Sequence, residues 1–226
     1  MKKHAIIIAI LVLIASIGYK PVKNFIAVEQ AENQREETLE IASNDSTTLD
    51  VGFICQAPLQ TEENWIHHEE SCEEAATLQT ILYERGESIT PEEADREILA
   101  MIEWQEQYFG GHFDLYADQM KEFITKYYSL QEREVIIISN TTLQDIHDAL
   151  DQGHPIIAPT TAGLLNNPYY LEQGYHMLVI TGYTEDSIIT NDNGTRRGED
   201  FSYKNDIFMS ALQDSGGDIL ILDLDK

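Results

Sequence analysis

Glu69-Glu70-Ser71-Cys72-Glu73-Glu74-Ala75-Ala76 decides how the chain is read. Ser71 followed three residues later by Glu74 is the S-x-x-E signature of a capping box. In such a box the hydroxyl and the carboxylate satisfy backbone N–H groups at a helix start. The spacing predicts a helix from Cys72 to about Arg85, with Gly86 as its stop. Cys72 then sits in the first turn, where the positive end of the helix dipole favours the nucleophilic thiolate. Glu69, Glu70, Glu73 and Glu74 oppose that ionisation by their charge. A cysteine is also, by default, a small buried hydrophobe. The stretch offers a nucleophile without a base, and the rest of the chain has to supply one.

Downstream, Thr90-Pro91-x-Glu93 marks a second helix start, with Pro91 at the first helical position. Ala94, Ile98, Met101, Ile102 and Gln105 keep a helical stripe that Gly110-Gly111 breaks. A third helix is expected over Ala117–Tyr128, a strand over Val135–Ser139 and a helix over Thr142–Gln152. Strands follow at His154–Pro159, His176–Tyr183, Ser187–Asn191 and Asp218–Asp223. A loop covers Thr160–Gly174 and a short helix Asn205–Leu212. Upstream, the alternation around Val51, Phe53 and Cys55 predicts a short strand. Helices come first and an antiparallel sheet last, so the fold class is α+β.

Residues 1–20 read as a signal peptide or N-terminal membrane anchor. Lys2, Lys3 and His4 precede an apolar run from Ala5 to Gly18. Residues 21–48 are polar and acidic and read as a linker, and residues 49–226 as the domain. This places the domain outside the cytosol, secreted or tethered to a membrane. The chain has 14 Lys+Arg against 40 Asp+Glu, a net charge of -26. That balance repels a polyanion and excludes a nucleic-acid partner. Outside the cytosol, Cys55 and Cys72 can also pair as a disulfide, which would silence the thiol.

Three residues complete a chemistry for Cys72. His176 opens the apolar strand Met177-Leu178-Val179-Ile180, where an imidazole can project into a cleft. Asp192 follows the next strand. A tight hairpin between the two strands brings Asp192 within reach of the ring, to orient it and stabilise its charged form. The same Asn-Asp-Asn-Gly also reads as plain turn chemistry. Gln56 offers a side-chain amide as a second oxyanion donor, beside the backbone N–H of Cys72. His67, His68 and His112 match no tight metal-ligand spacing and read as surface histidines; no phosphate loop or cofactor motif is present.

In this order the chain resembles the papain-like cysteine peptidases, and more closely the C39-like peptidases. The likeness lies in Ile54-Cys55-Gln56-Ala57-Pro58, Trp65 and Cys72-Glu73-Glu74-Ala75. It continues in Gly153-His154-Pro155-Ile156-Ile157, in His176-Met177-Leu178-Val179-Ile180-Thr181-Gly182-Tyr183, and in Asn191-Asp192-Asn193-Gly194-Thr195-Arg196-Arg197-Gly198. The departures are Glu73-Glu74 where many relatives have Gly-Pro, Cys55 in place of a serine, and Asn193 where proline is common. The resemblance implies a papain-like fold, helices packed on a C-terminal antiparallel sheet. It implies Cys72 as nucleophile, His176 as general base, Asp192 as its orienter and Gln56 as oxyanion donor. The substrate would be a peptide or protein, and no cofactor or metal is implied. A catalytically silent binding module on the same scaffold is the rival reading, and transglutamination or amide hydrolysis on cell-wall peptide is a third.

Overall fold

The structure, a computed structural model, describes residues 47–59, 67–170 and 173–224. The expectations for residues 1–20, for most of the linker and for Trp65 lie outside the described residues. Among the described residues, no helix is long and apolar enough to cross a membrane.

The first three helices are α1 (Cys72–Arg85), α2 (Pro91–Tyr108) and α3 (Ala117–Tyr127). Next come β2 (Val135–Ile138), α4 (Leu143–Asp151), β3 (Ile156–Thr161) and the single turn α5 (Ala162–Leu165). The chain continues through β4 (Tyr175–Tyr183), β5 (Ser187–Asn191), β6 (Phe201–Lys204), α6 (Asn205–Asp214) and β7 (Ile219–Leu222). A two-residue strand, β1 (Thr47–Thr48), precedes them all. The strands form one antiparallel sheet in the order β2-β7-β3-β4-β5-β6. In it β1 pairs with Gly182 and Tyr183 of β4, beyond the point where β3 ends. The architecture is α+β.

The sheet is covered on both faces, which is why its strands read as unbroken apolar runs rather than alternating ones. Met177 and Val179 of β4 point into the core shared with α1, α2 and α3. Leu178 and Ile180 point the other way, into the core under α4 and α6. Helix α1 is the central pillar. Twelve of its fourteen residues are buried, so it has no solvent face of its own.

The structure departs from the sequence reading in two places. Residues 51–55 form no strand, because their bonding groups go elsewhere: the Asn191 side chain donates to the Val51 carbonyl at 2.8 Å. Residues 201–204, unassigned from sequence, pair with β5 as β6.

Candidate active site

The start of α1 is not built as its sequence predicts. Ser71 makes no side-chain cap; its hydroxyl donates to the His67 carbonyl at 3.3 Å. Glu74 turns inward instead, accepting from Gln105 of α2 and from His112 Nε2 at 3.0 Å. Glu73 is 2% exposed, and its Oε1 accepts the backbone N–H of Leu115 at 2.9 Å. Gly86 does end the helix, in the left-handed conformation with φ of 65°.

Cys72 is buried, 6% exposed, and faces the sheet. Its thiol donates to Glu73 Oε2 at 3.0 Å, and the backbone N–H of Met177, the residue after His176, donates to the sulfur. Burial first, and then the Glu73 carboxyl, push the thiol well above its ordinary range. Cys55 and Cys72 are both free, so the pairing that the sequence left open is not formed.

His176 lies near the start of β4, and Asp192 directly follows β5. The two strands pair with a bulge between Ile180 and Gly182, which resets the register and places Val179 opposite Asn191. His176 Nε2 thereby meets Asp192 Oδ1 at 3.0 Å. Burial pushes the imidazole down to about 3, so it is neutral at rest. Asp192 is fully buried and raised to about 6 by that burial, even though donors surround it. Tyr170 donates to its Oδ1, Tyr203 and Asn167 donate to its Oδ2, and the Gly194 N–H adds a further bond. The Tyr170 hydroxyl also lies 2.7 Å from His176 Nε2.

Sequence reasoning missed Tyr170, Tyr203 and Asn167. A tyrosine on a short strand and an asparagine in a polar loop carry no signal of their own.

A cleft of about 470 Å³ is lined by Cys72, His176, Gln56, Tyr170, Tyr175 and Gly194, with the carboxylates of Glu69, Glu70 and Asp114 at its walls. Gln56 Nε2 donates to the carbonyls of His68 at 2.9 Å and Glu69 at 3.0 Å. The side chain thus ties down the turn that leads into α1. Asn193 fastens the two halves together. Its Nδ2 donates to the Cys72 carbonyl at 3.0 Å, and its own carbonyl accepts Gln56 N at 2.9 Å. A proline at 193 would lack that side-chain amide. Arg196 Nη2 adds a bond to the Ala57 carbonyl at 2.6 Å.

Of the three histidines expected at the surface, His67 is exposed and the other two are not. His68 is fully buried against Asp95 at 2.9 Å, and His112 is held by Glu74. Among the described residues no group of three or more His, Cys, Asp or Glu could hold a metal ion.

The site brings a thiol and an imidazole from distant parts of the sequence to one cleft, with the imidazole bonded to a fully buried carboxylate. Comparison with protein families matches residues 48–214 to the Peptidase_C39 like family. Among solved structures, the crystal structure of a protein described as a "putative C39-like peptidase from Bacillus anthracis" superposes with a TM-score of 0.56 at 14% identity. It covers 81% of this chain and 100% of its own. That likeness concerns the fold. A search of the curated proteins finds no match.

Proposed function

Because the chain belongs to the Peptidase_C39 like family, we propose that it is a cysteine peptidase acting on a peptide or protein substrate outside the cytosol. The observation that carries this reading is that Cys72 and His176 line one cleft while Asp192 bonds the imidazole Nε2 at 3.0 Å. With Nε2 on Asp192, Nδ1 is the nitrogen left to take the thiol proton. The thiolate attacks the scissile carbonyl, His176 protonates the leaving amine, and the imidazole then activates water to hydrolyse the thioester. Asp192 stabilises the imidazolium formed on the way.

The oxyanion would be met by the first-turn N–H groups of α1, which carry no side-chain cap. Gln56 would join them by giving up one of its two loop carbonyls. The extracytoplasmic placement is supported by the basic-then-apolar segment at residues 1–20.

Hydrolysis of a peptide library by the wild type, Cys72→Ala and His176→Ala tests the reading. Both variants should lose roughly a thousandfold or more. Equal hydrolysis by Cys72→Ala overturns it.

One observation favours the silent binding module: the resting thiol is bonded to Glu73 and raised by burial. Under that reading a peptide-derived thiol alkylator labels Cys72 no faster than free cysteine.

A further inference from the structure

The carboxyl beside the sulfur has no role in the mechanism above, yet it is the side chain that the sulfur bonds. Glu73 is fixed at both oxygens: Oε1 by the Leu115 N–H at 2.9 Å, and Oε2 by the Cys72 thiol at 3.0 Å. A separation of 3.0 Å serves either direction of proton donation, from S–H to oxygen or from O–H to a thiolate.

The surroundings bear on which form exists. Glu74 follows on the same helix and is itself buried, with Oε2 lacking any partner. From the segment after α2, His112 faces the group, with Asp114 and Glu70 beside that imidazole, and from β4 comes Tyr175. Only His112 of these can bring positive charge, and it is bonded to Glu74. Two buried carboxyls side by side do not both ionise readily. Burial and Glu74 together raise Glu73 to about 8.

We propose that Glu73 is a further catalytic residue, whose carboxyl accepts from the thiol in the resting site and, once protonated, donates to the thiolate. In the step itself the S–H bond breaks and the N–H bond forms at His176 Nδ1. The Glu73 proton, taken earlier from solvent, stays on Glu73 and turns toward the sulfur. Charge is then separated only between sulfur and ring, with no third charge between them. When Glu73 is ionised, its negative charge lies against the sulfur and suppresses the same step. This rests on Cys72 being the reactive thiol of the cleft, and not on peptide being the substrate.

The test is alkylation of Cys72 by iodoacetamide across pH, read at that residue by mass analysis of the cleaved peptide, for wild type and Glu73→Gln. Glutamine keeps the oxygen that Leu115 bonds and puts a permanent N–H donor beside the sulfur. At about pH 9 the variant should label about tenfold faster or more, and at about pH 6.5 the ratio should fall toward unity. A ratio that is constant across pH, whether at unity or elsewhere, overturns the proposal, because a merely structural role would give that result.

The unsubstituted chain supplies a second measurement that survives a misfolded variant. Its labelling rate should rise with pH and then break to a shallower slope near pH 8. A single ionisation with no break overturns the proposal. Hydrolysis lost in Cys72→Ala together with a flat alkylation ratio removes Glu73 and leaves the peptidase reading standing. A moving ratio without hydrolysis does the reverse.

Discussion

Two helix starts in this molecule carry the same four-residue signature and are built in opposite ways. At α2, Thr90 accepts the Glu93 N–H at 3.3 Å and Glu93 Oε2 accepts the Thr90 N–H at 2.8 Å, an exposed and self-contained capping box. At α1, Ser71 and Glu74 make neither bond. The difference lies in burial. An exposed helix end has only its own side chains to satisfy its first N–H groups. At an end buried under other elements the polar side chains are drawn to those elements, and the first N–H groups are left without a side-chain cap. The α2 start is local structure. The α1 start is joined to Met177, Asn193 and Leu115, far along the chain.

If that contrast is right, substitutions remote in sequence should damage the α1 site most. Asp192→Ala strips an acceptor from His176, Tyr203 and Asn167 in a fully buried place. It should cost roughly 3 kcal/mol in denaturant unfolding and abolish measurable hydrolysis. Retention of wild-type stability would show that the cage around Asp192 is not coupled to the fold.

Next in size is a pH effect. Between the unfolded value of 4.5 and about 8, the folded Glu73 keeps a proton that the unfolded chain has released. The folded state binds more protons there, so the contribution of Glu73 to stability falls as pH rises through that window. Glu73→Gln removes the loss. Its melting temperature relative to wild type should therefore climb between about pH 5 and pH 8 by several degrees, at about 2–4 °C per kcal/mol. A flat difference would mean that the buried carboxyl titrates as it does in water.

The smallest effects separate the two starts directly. Thr90→Ala breaks a formed box and should cost about 1 kcal/mol with no change in Cys72 labelling. Ser71→Ala removes no cap, and its thermal shift should be smaller than that of Thr90→Ala. Reversed magnitudes would undo the comparison.

Much of the fold was readable because the chain punctuates it. Gly86 and Gly110 close helices, Thr90-Pro91 opens one, and the apolar runs of β3, β4 and β7 declare a sheet covered on both sides. The part that stayed hidden has a physical cause in each case. Residues 51–55 alternate like a strand, but the Asn191 side chain takes a carbonyl that a ladder would need. Phe201–Lys204 pairs as a strand, yet it is short and follows turn residues.

At the site, Cys72, His176 and Asp192 stood out because reactive residue types sit at the ends of predicted elements. What burial does to their charges was not readable. The same letters, Ser-x-x-Glu, describe both a cap and a buried carboxyl. Only the packing of α2 and of the segment around His112 against α1 decides between them. Tyr170 and Tyr203 stayed invisible because nothing in a sequence separates a tyrosine that packs from one that bonds a carboxylate.

The bonds that fasten the two halves of the cleft span long stretches of sequence: 121 residues from Asn193 to Cys72, and 139 from Arg196 to Ala57. During synthesis the sulfur leaves the ribosome long before the residues that surround it. A nascent chain that stops short of residue 176 has the thiol and its glutamates but neither base nor orienting acid. On the proposed reading, the cleft becomes complete only when the β4–β5 hairpin has been made, so the assembly of the site is timed by the order of the sequence.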